Sequence, residues 1–375
     1  MPEKHLHIVA FDIVFPANYG GAIDVFYRIK ALHDAGVGII LHCTYKGQLT
    51  RYQELENLCE KVYYYKRDMS VLNQLSRLPY AVLTRKNDLL LHNLLQDDFP
   101  ILFEGLVCCL YLDHPALRCR KKMFRECNVE HDYYRELAAA TSSVWKKVYF
   151  RMDAAKLQRF EKVVQAADLI FALSHGDEQH FITCYPDVKV VYLPCFHPNS
   201  TVTSAVGKGD YVLYNGNLEL AENEKAVLYL CKSVLPLMSD VMCVFAGRNP
   251  SETVKHAIAM TPNAELVENP SEIQMADLMR NAHVHLLVTH QSTGLKLKLL
   301  NSLYSGRFVV ANSRMTDGTE LRSLCHLADS AQGLAAECKR LMSECFTLNH
   351  IQERRDVLDK NFDNQVLCNR LLEYI

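Results

Sequence analysis

The chain has almost no net charge. Lys and Arg number 41, Asp and Glu 43, leaving a formal charge of −2 over 375 residues, with an isoelectric point near 6.8. Without a global basic field, nucleic acid is a poor candidate partner. No apolar run approaches the ~18 residues of a membrane-spanning helix, so none is expected. The start, MPEKHLHIVAFDIV, passes almost directly into a strand pattern, so no cleavable signal is expected. Fourteen Cys contain no Cys-x-x-Cys pair, which disfavours zinc. So many unpaired thiols without an export signal suit a reducing cytoplasm. An Asp-x-Asp metal motif is missing; Asp97-Asp98 and isolated carboxylates are all there is. No Gly-x-Gly-x-x-Gly follows the first strand, which ranks a dinucleotide oxidoreductase low. Tandem repeats and low-complexity tracts are absent as well.

What is present is a long alternation of strand and helix signals. Apolar residues make up 49% of the chain, enough for two domains with real cores. His5 to Val14 reads as a strand and FPANYGG (15–21) as a turn-rich loop. Ala22 to Ala35 reads as a helix ending at Gly36, and Val37 to Cys43 as the next strand. This βαβ start fits a parallel sheet with right-handed crossovers. Val62 to Tyr65, Ile101 to Glu104, Lys122 to Arg125, Leu169 to Leu173 and Val188 to Leu193 read as later strands. Asp132 to Ala167 reads as one or two helices, and Ser174 as a helix cap. The polar stretch HPNSTVTSAVGKGD (197–210) reads as a linker. Beyond it, strands at Tyr211 to Tyr214, Met242 to Ala246 and Leu266 to Glu268 alternate with helices at Asn223 to Leu235, Ser251 to Met260 and Ser271 to Asn281. Domains are expected over 1–200 and 201–355, with a last segment, 356–375, helical and packing back on the first.

The stretch from His283 to Asn312 is the most informative. His283 to Thr289 is a strand pattern and His290 to Thr293 a polar loop. Gly294 to Ser305 is a helix with Gly306 as its C-cap, and Phe308 to Ala311 is the next strand. A helix opening Ser292-Thr293-Gly294 leaves free N–H groups for an anion, and Lys296 and Lys298 add positive charge in its first turns. Helical spacing aligns Gly294, Lys298, Asn301 and Ser305 on one face. That arrangement suits a diphosphate at the carboxyl end of a parallel strand. An ordinary βα unit with a solvated lysine pair accounts for the same residues about as well. His283 and His285 face one way along their strand. Without a third ligand, packing histidines are the simpler reading.

The segment resembles the nucleotide-sugar half-site of retaining glycosyltransferases of the GT-B fold, and most the group 1 glycosyl transferases that include sucrose synthases and bacterial mannosyltransferases. Their motif sets two Glu around a Gly-hydrophobic-Lys-hydrophobic-Lys run. Gly294-Leu295-Lys296-Leu297-Lys298 matches the run, while Thr293 and Asn301 stand at the Glu positions. Those Glu usually hold donor-sugar and ribose hydroxyls, so both departures bear on donor recognition. The resemblance covers nearly the whole chain. FPANYGGAIDVFYRIKALHDAG is similar to the family's first loop and helix, with Gly20 and Gly21 near donor phosphate or acceptor. CNVEHDYYREL is similar to its HN-x-E motif, with Cys127 in place of the His and His131 four residues on. LYNGNLELAENEKAVLYL is similar to its donor-domain loop, with Gly216 and Asn217 facing the diphosphate and Asn217 where Arg is common.

The resemblance implies an α/β architecture of two facing Rossmann-like domains with an interdomain cleft. It implies transfer of a sugar from a nucleotide-diphosphate sugar to a glycan, lipid-linked or small-molecule acceptor, with retention. Lys298, Lys296 and Arg248 would neutralise the leaving group, as preorganised cations do at developing charge. The donor contacts implied are Gly20, Gly21, Gly216, Asn217, Gly247, Arg248, Thr293, Gly294, Leu295, Lys296, Lys298 and Asn301. Glu104, His131 and Lys298 are the catalytic candidates, with Glu130 and Asp132 as further carboxylates. A charge in solvent at a strand end explains Glu104 about as well. No metal and no cofactor beyond the donor substrate are expected. The chain is expected in the cytoplasm, with a peripheral contact at the inner membrane face through its N-terminal domain. Two alternatives stand: a degenerate GT-B protein that binds nucleotide or scaffolds another transferase, and a nucleotide-sugar epimerase.

Overall fold

The computed structural model describes residues 4–126, 128–141, 143–290 and 297–375. The chain divides into two compact units. The first holds 4–198 and regains the chain at 362–375; the second holds 199–290 and 297–361.

The first unit is built on a seven-stranded parallel sheet. Its strands are β1 (Lys4–Ala10), β2 (Val37–Tyr45), β3 (Lys61–Lys66), β4 (Ile101–Glu104), β5 (Lys122–Arg125), β6 (Leu169–Ala172) and β7 (Lys189–Tyr192), in the order β3-β2-β1-β4-β5-β6-β7. The central strands are apolar on both faces: Leu6, Ile8, Val9, Ala10, Leu102 and Phe103 are all buried. That is what helices on both sides of a parallel sheet require. The strand order reverses between β1 and β4, and such a switch point opens a crevice at the carboxyl ends of the strands.

The helix that follows β1 spans Gly20–Asp34, two residues earlier than the apolar periodicity suggests. Gly20 and Gly21 are its first two residues, and neither is left-handed. The segment 132–167 forms two helices, Glu130–Ala140 and Val144–Phe160, then a short 3-10 stretch. The last helix, Asn364–Leu372, lies on Gly20–Asp34 and puts Leu367, Cys368 and Leu371 in the same core as Val25 and Ile29. Lys4 Nζ ties it down through the carbonyls of Leu372 (2.8 Å) and Ile375 (2.9 Å).

The second unit repeats the plan with six parallel strands: β8 (Val212–Asn217), β9 (Cys243–Arg248), β10 (Ala264–Glu268), β11 (Val284–Leu287), β12 (Phe308–Ala311) and β13 (His326–Leu327), in the order β10-β9-β8-β11-β12-β13. The order reverses between β8 and β11. After β8 comes the helix Ala221–Tyr229, continued by a wide turn at Leu230–Val234 and a 3-10 turn at Leu235–Met238. Pro236 sits at that transition; it has no N–H to give a carbonyl one turn back, so regular α geometry stops there.

His283 and His285 are packing residues. Both are fully buried, with Nε2 2.8 Å from the Leu341 carbonyl and 2.9 Å from the Met279 carbonyl respectively. His285 also corrects the reading of Gly306. This glycine is not left-handed, so it is no αL cap; a Cβ there would stand 2.0 Å from His285 Nε2. Close approach, not backbone handedness, requires glycine. Among the described residues no helix is long and apolar enough to cross a membrane.

Candidate functional site

In the second unit one cation stands against β8 and the helix that follows it. Lys298 lies in the helix Leu297–Ser305. Its Nζ is 2.9 Å from Asn223 Oδ1 and 3.5 Å from the Tyr214 hydroxyl, and stands 5.2 Å over the Tyr214 ring. Tyr214 is fully buried on β8 and donates its own hydroxyl to Asn223 Oδ1 (3.0 Å). Burial pushes its phenol well up, so it stays a neutral donor. Asn223, in the helix Ala221–Tyr229, also donates from Nδ2 to the Asn217 carbonyl at the end of β8 (2.8 Å). Asn223 and Tyr214 thereby orient the ammonium.

Gly216 and Gly247 are register partners at the ends of β8 and β9. A Cβ on Gly247 would lie 2.0 Å from the Gly216 carbonyl oxygen, and one on Gly216 3.2 Å from Asn223. Arg248 is exposed. Asn249 after it is left-handed at φ 50° and reaches Glu219 Oε2 (3.2 Å). On the other side of the switch point, Asn312 clasps the end of β11: its Oδ1 accepts from Thr289 N (3.1 Å) and its Nδ2 donates to Thr289 O (2.7 Å). The Thr289 hydroxyl bonds Glu222, and Arg314 holds the His290 carbonyl at 2.9 Å. Burial, Lys225 and Arg314 depress the His290 pKa, so its ring is neutral near pH 7. Asn301 is turned to Asn199, whose Nδ2 donates to its Oδ1 at 2.7 Å. Thr293, Gly294, Leu295 and Lys296 lie outside the described residues.

The first unit places the expected catalytic groups differently. Glu104 ends β4, but it is fully buried rather than presented to a substrate. Its Oε1 is 2.5 Å from Arg28 Nη2, Arg28 is 2.9 Å from Asp24, and Arg125 is 3.3 Å from Asp24. The Phe196 N–H donates to Asp24 at 2.7 Å. Burial raises the Glu104 pKa and Arg28 opposes it; burial also acts to raise Asp24, but Arg125 and Arg28 outweigh it and the net shift is down. The geometry makes Glu104 a tie between β4 and the helix Gly20–Asp34.

His131 is likewise buried. Its Nδ1 is 3.0 Å from Glu161 Oε2, His180 Nε2 is 2.9 Å from Oε1, and the Tyr185 hydroxyl donates to Oε1 at 2.9 Å. Burial alone would raise Glu161, yet the two histidines hold it down to about 2, and that carboxylate raises His180 in return. The ligand atoms of His131, Glu161 and His180 lie within 4.8 Å of one another, a group that could hold a metal ion. Both carboxylate oxygens are already engaged, so the arrangement is complete as a hydrogen-bonded clamp.

Nearer the carboxyl ends of the strands stand Glu130, a carboxylate the sequence reading named, and Glu126, Lys46, Arg67 and Arg85, which it missed. Glu126 after β5 is buried and accepts from the Asn128 N–H (2.7 Å), and burial lifts its pKa well above the carboxylate range. Glu130 is lifted to about 7, again by burial, with Arg85 opposing. Lys46 and Arg67 directly follow the final pair of β2 and β3, Tyr45↔Lys66. Arg67 donates to Thr84 Oγ1 (2.8 Å), Arg85 to the carbonyls of Phe11 (3.0 Å) and Ala81 (2.7 Å). Burial and Arg85 pull Arg67 down to about 10; burial, Arg67 and Arg85 pull Lys46 down. Arg67 Nε is buried without a partner. The only sequence signal was position: basic residues on the first steps past two parallel strands.

Residues 209–344 match the family model of glycosyl transferases group 1. The chain carries a group 1 glycosyl transferase domain. A curated relative is similar over most of both chains: a protein of the cps region of Klebsiella pneumoniae, described as an uncharacterized 44.6 kDa protein, 26% identical over 332 residues and covering 83% of this chain and 84% of its own. Among solved structures, sucrose-phosphate synthase from Thermosynechococcus elongatus aligns with TM-score 0.69 at 10% identity, over 99% of this chain and 98% of its own. TarM aligns at 0.67 and 10%, over 100% and 99%. The Escherichia coli trehalose-6-phosphate protein bound with UDP-2-fluoro glucose aligns at 0.66 and 11%, over 99% and 98%. The two parallel α/β sheets are those of the GT-B fold, and the chain is a glycosyltransferase.

Proposed function

We propose that this glycosyltransferase takes its sugar from a nucleotide-diphosphate sugar and passes it, with retention and without a metal ion, to a glycan or lipid-linked acceptor. The observation that carries the reading is Lys298, oriented by Asn223 and Tyr214 beside Gly216 and Asn217 at the β8–β11 switch point. Cleaving the sugar–diphosphate bond puts negative charge on the leaving phosphate. A fixed ammonium stabilises that charge without reorganising in the transition state. Arg248, exposed at the end of β9, adds a second cation, and Asn301 supplies an uncharged amide in place of a ribose-binding carboxylate. The relative's place in a cps region fits a role in polysaccharide assembly. On the acceptor side, Lys46, Arg67 and Arg85 suit a substrate bearing a negative charge, such as the phosphate of a lipid-linked glycan. Such an acceptor would hold the enzyme at the cytoplasmic membrane face as a peripheral protein.

Titration calorimetry with nucleoside diphosphates tests the donor site. Lys298→Ala should weaken the diphosphate that binds by roughly 1.5–3 kcal/mol, the scale of a charged hydrogen bond, and Lys298→Arg should restore part of it. Equal affinity in parent and Lys298→Ala would remove Lys298 from the site and the reading with it.

A further inference from the structure

The first unit exposes an apolar surface that the transferase reading does not use. Two segments form it. One is the 3-10 stretch Val71–Leu75, just past the carboxyl end of β3, with no buried residue of its own. Val71, Leu72 and Leu75 are 71%, 75% and 85% exposed. The other is the outer face of the helix Val144–Phe160. Val144, Trp145, Val148 and Met152 recur at helical spacing and are 71%, 86%, 48% and 58% exposed. A solvent-facing helix stripe is ordinarily polar. Lys156, one turn past Met152 on that same face, joins the two segments by donating to the Gln74 carbonyl (2.8 Å), and the buried Asp153 accepts from the Tyr80 N–H (3.3 Å). The Met152 end of the apolar stripe therefore adjoins Val71–Leu75.

The charge around it is one-sided. Residues 66–86 and 144–160 hold ten Lys and Arg against two Asp, in a chain whose net charge is −2. Asp153 is buried, and Asp68 is turned back on Ser70 and Asn73. Lys146, Arg77 and Arg151 are exposed beside the apolar residues. An exposed tryptophan, aliphatic side chains and a cationic fringe are what the interface of an anionic bilayer takes up: the apolar groups enter the headgroup boundary and the cations remain with the lipid phosphates. A protein partner would need its own acidic, apolar counterpart; a bilayer supplies both properties everywhere.

We propose that Val71–Leu75 and the Val144–Met152 face of the neighbouring helix form the surface by which the first unit docks on an anionic lipid bilayer. The proposal rests on the peripheral-transferase reading for its purpose but not for its physics. Val71–Leu75 follows β3 and Arg67 directly, so the docked surface lies beside the basic group assigned to a lipid-linked acceptor.

Trp145 is the chain's single tryptophan, so its emission reports this surface alone. The full chain is mixed with vesicles of phosphatidylcholine and with vesicles of equimolar phosphatidylcholine and phosphatidylglycerol. The expected result is a blue shift and co-flotation with the anionic vesicles, little with the neutral ones, and release near 1 M salt, where the screening length is about 3 Å. Leu72→Ser with Leu75→Ser, and Lys146→Glu with Lys147→Glu, should each lower partitioning about tenfold or more, with Tm and nucleoside diphosphate affinity unchanged. No shift and no flotation with anionic vesicles would overturn the proposal. So would flotation unaltered by either pair, or a blue shift that grows with protein concentration without lipid, which would make a second copy the occupant. Donor affinity is read separately, so the docking surface and the donor site can fail independently.

Discussion

At the scale of single residues, chemistry and burial decide roles that sequence position leaves open. Glu104 is the clearest case. Its place at a strand end resembles that of a group facing a ligand, and so the residue was expected in the site. Burial could not be read from one letter, and it changes the role: a carboxylate at zero exposure 2.5 Å from Arg28 is a structural counter-charge. Removing one partner of such a pair leaves the other charge buried and uncompensated, at about 3–5 kcal/mol. Glu104→Gln should therefore lower the denaturation midpoint of the chain sharply, while whatever folds keeps near-parental nucleoside diphosphate affinity. A variant as stable as the parent but devoid of turnover would return Glu104 to catalysis. Lys298 is the opposite case. Its spacing in the Gly-x-Lys-x-Lys run drew attention in the sequence, and the Asn223 and Tyr214 that orient it lie 75 and 84 residues away in the chain. No local pattern announces such partners. Gly306 was legible as a required glycine but not for its reason, which is the ring of His285 on a neighbouring strand.

At the scale of elements, strands bounded by turn residues were read to the residue: Ile101–Glu104, Lys122–Arg125 and Phe308–Ala311. Helix starts drifted where no side chain caps them, as at Tyr19 before Gly20–Asp34. The region 132–167 was ambiguous because its composition is helical throughout; Ser143, capping the second helix through the Lys146 N–H, marks the break. Three such elements meet at Glu161: His131 comes from the helix Glu130–Ala140, and His180 and Tyr185 from the helix His175–Cys184 and its end. The clamp has a definite pH signature. Glu161 is depressed to about 2 in the fold, so its contribution is present above the ordinary carboxylate range of about 4 and is lost as pH falls through about 2. His180 is raised, so its contribution is full below the ordinary imidazole value of about 6.5 and is lost as pH rises through its raised one. The two overlap between those limits. Glu161→Gln should thus destabilise most near pH 5.5, by roughly 1–3 kcal/mol, and less near pH 8.5. Denaturant titrations of parent and variant at the two values check this; an equal loss at both would mean that His180 does not titrate against Glu161.

At the scale of the whole molecule, two architectures were legible because alternating βα signals and a polar stretch near 200 are long-range features that survive local error. What composition concealed is the distribution of charge. A net of −2 gives no sign of it, yet cations collect where anionic ligands are proposed: Lys298 and Arg248 past the second sheet, and Lys46, Arg67 and Arg85 past the first. This bears on the metal question. A diphosphate leaving group needs positive charge close by, and either a divalent ion or fixed cations can supply it. Where side chains do so, turnover is independent of added ions. The donor reading therefore expects transfer, followed as release of nucleoside diphosphate, to proceed at the parental rate after exhaustive treatment with chelator. Among the described residues His131, Glu161 and His180 form a group that could hold an ion, and both Glu161 oxygens are already engaged there. Loss of turnover in chelator, restored by manganese or magnesium, would assign the leaving-group charge to an ion. The orientation of Lys298 over Tyr214 would then serve donor binding alone.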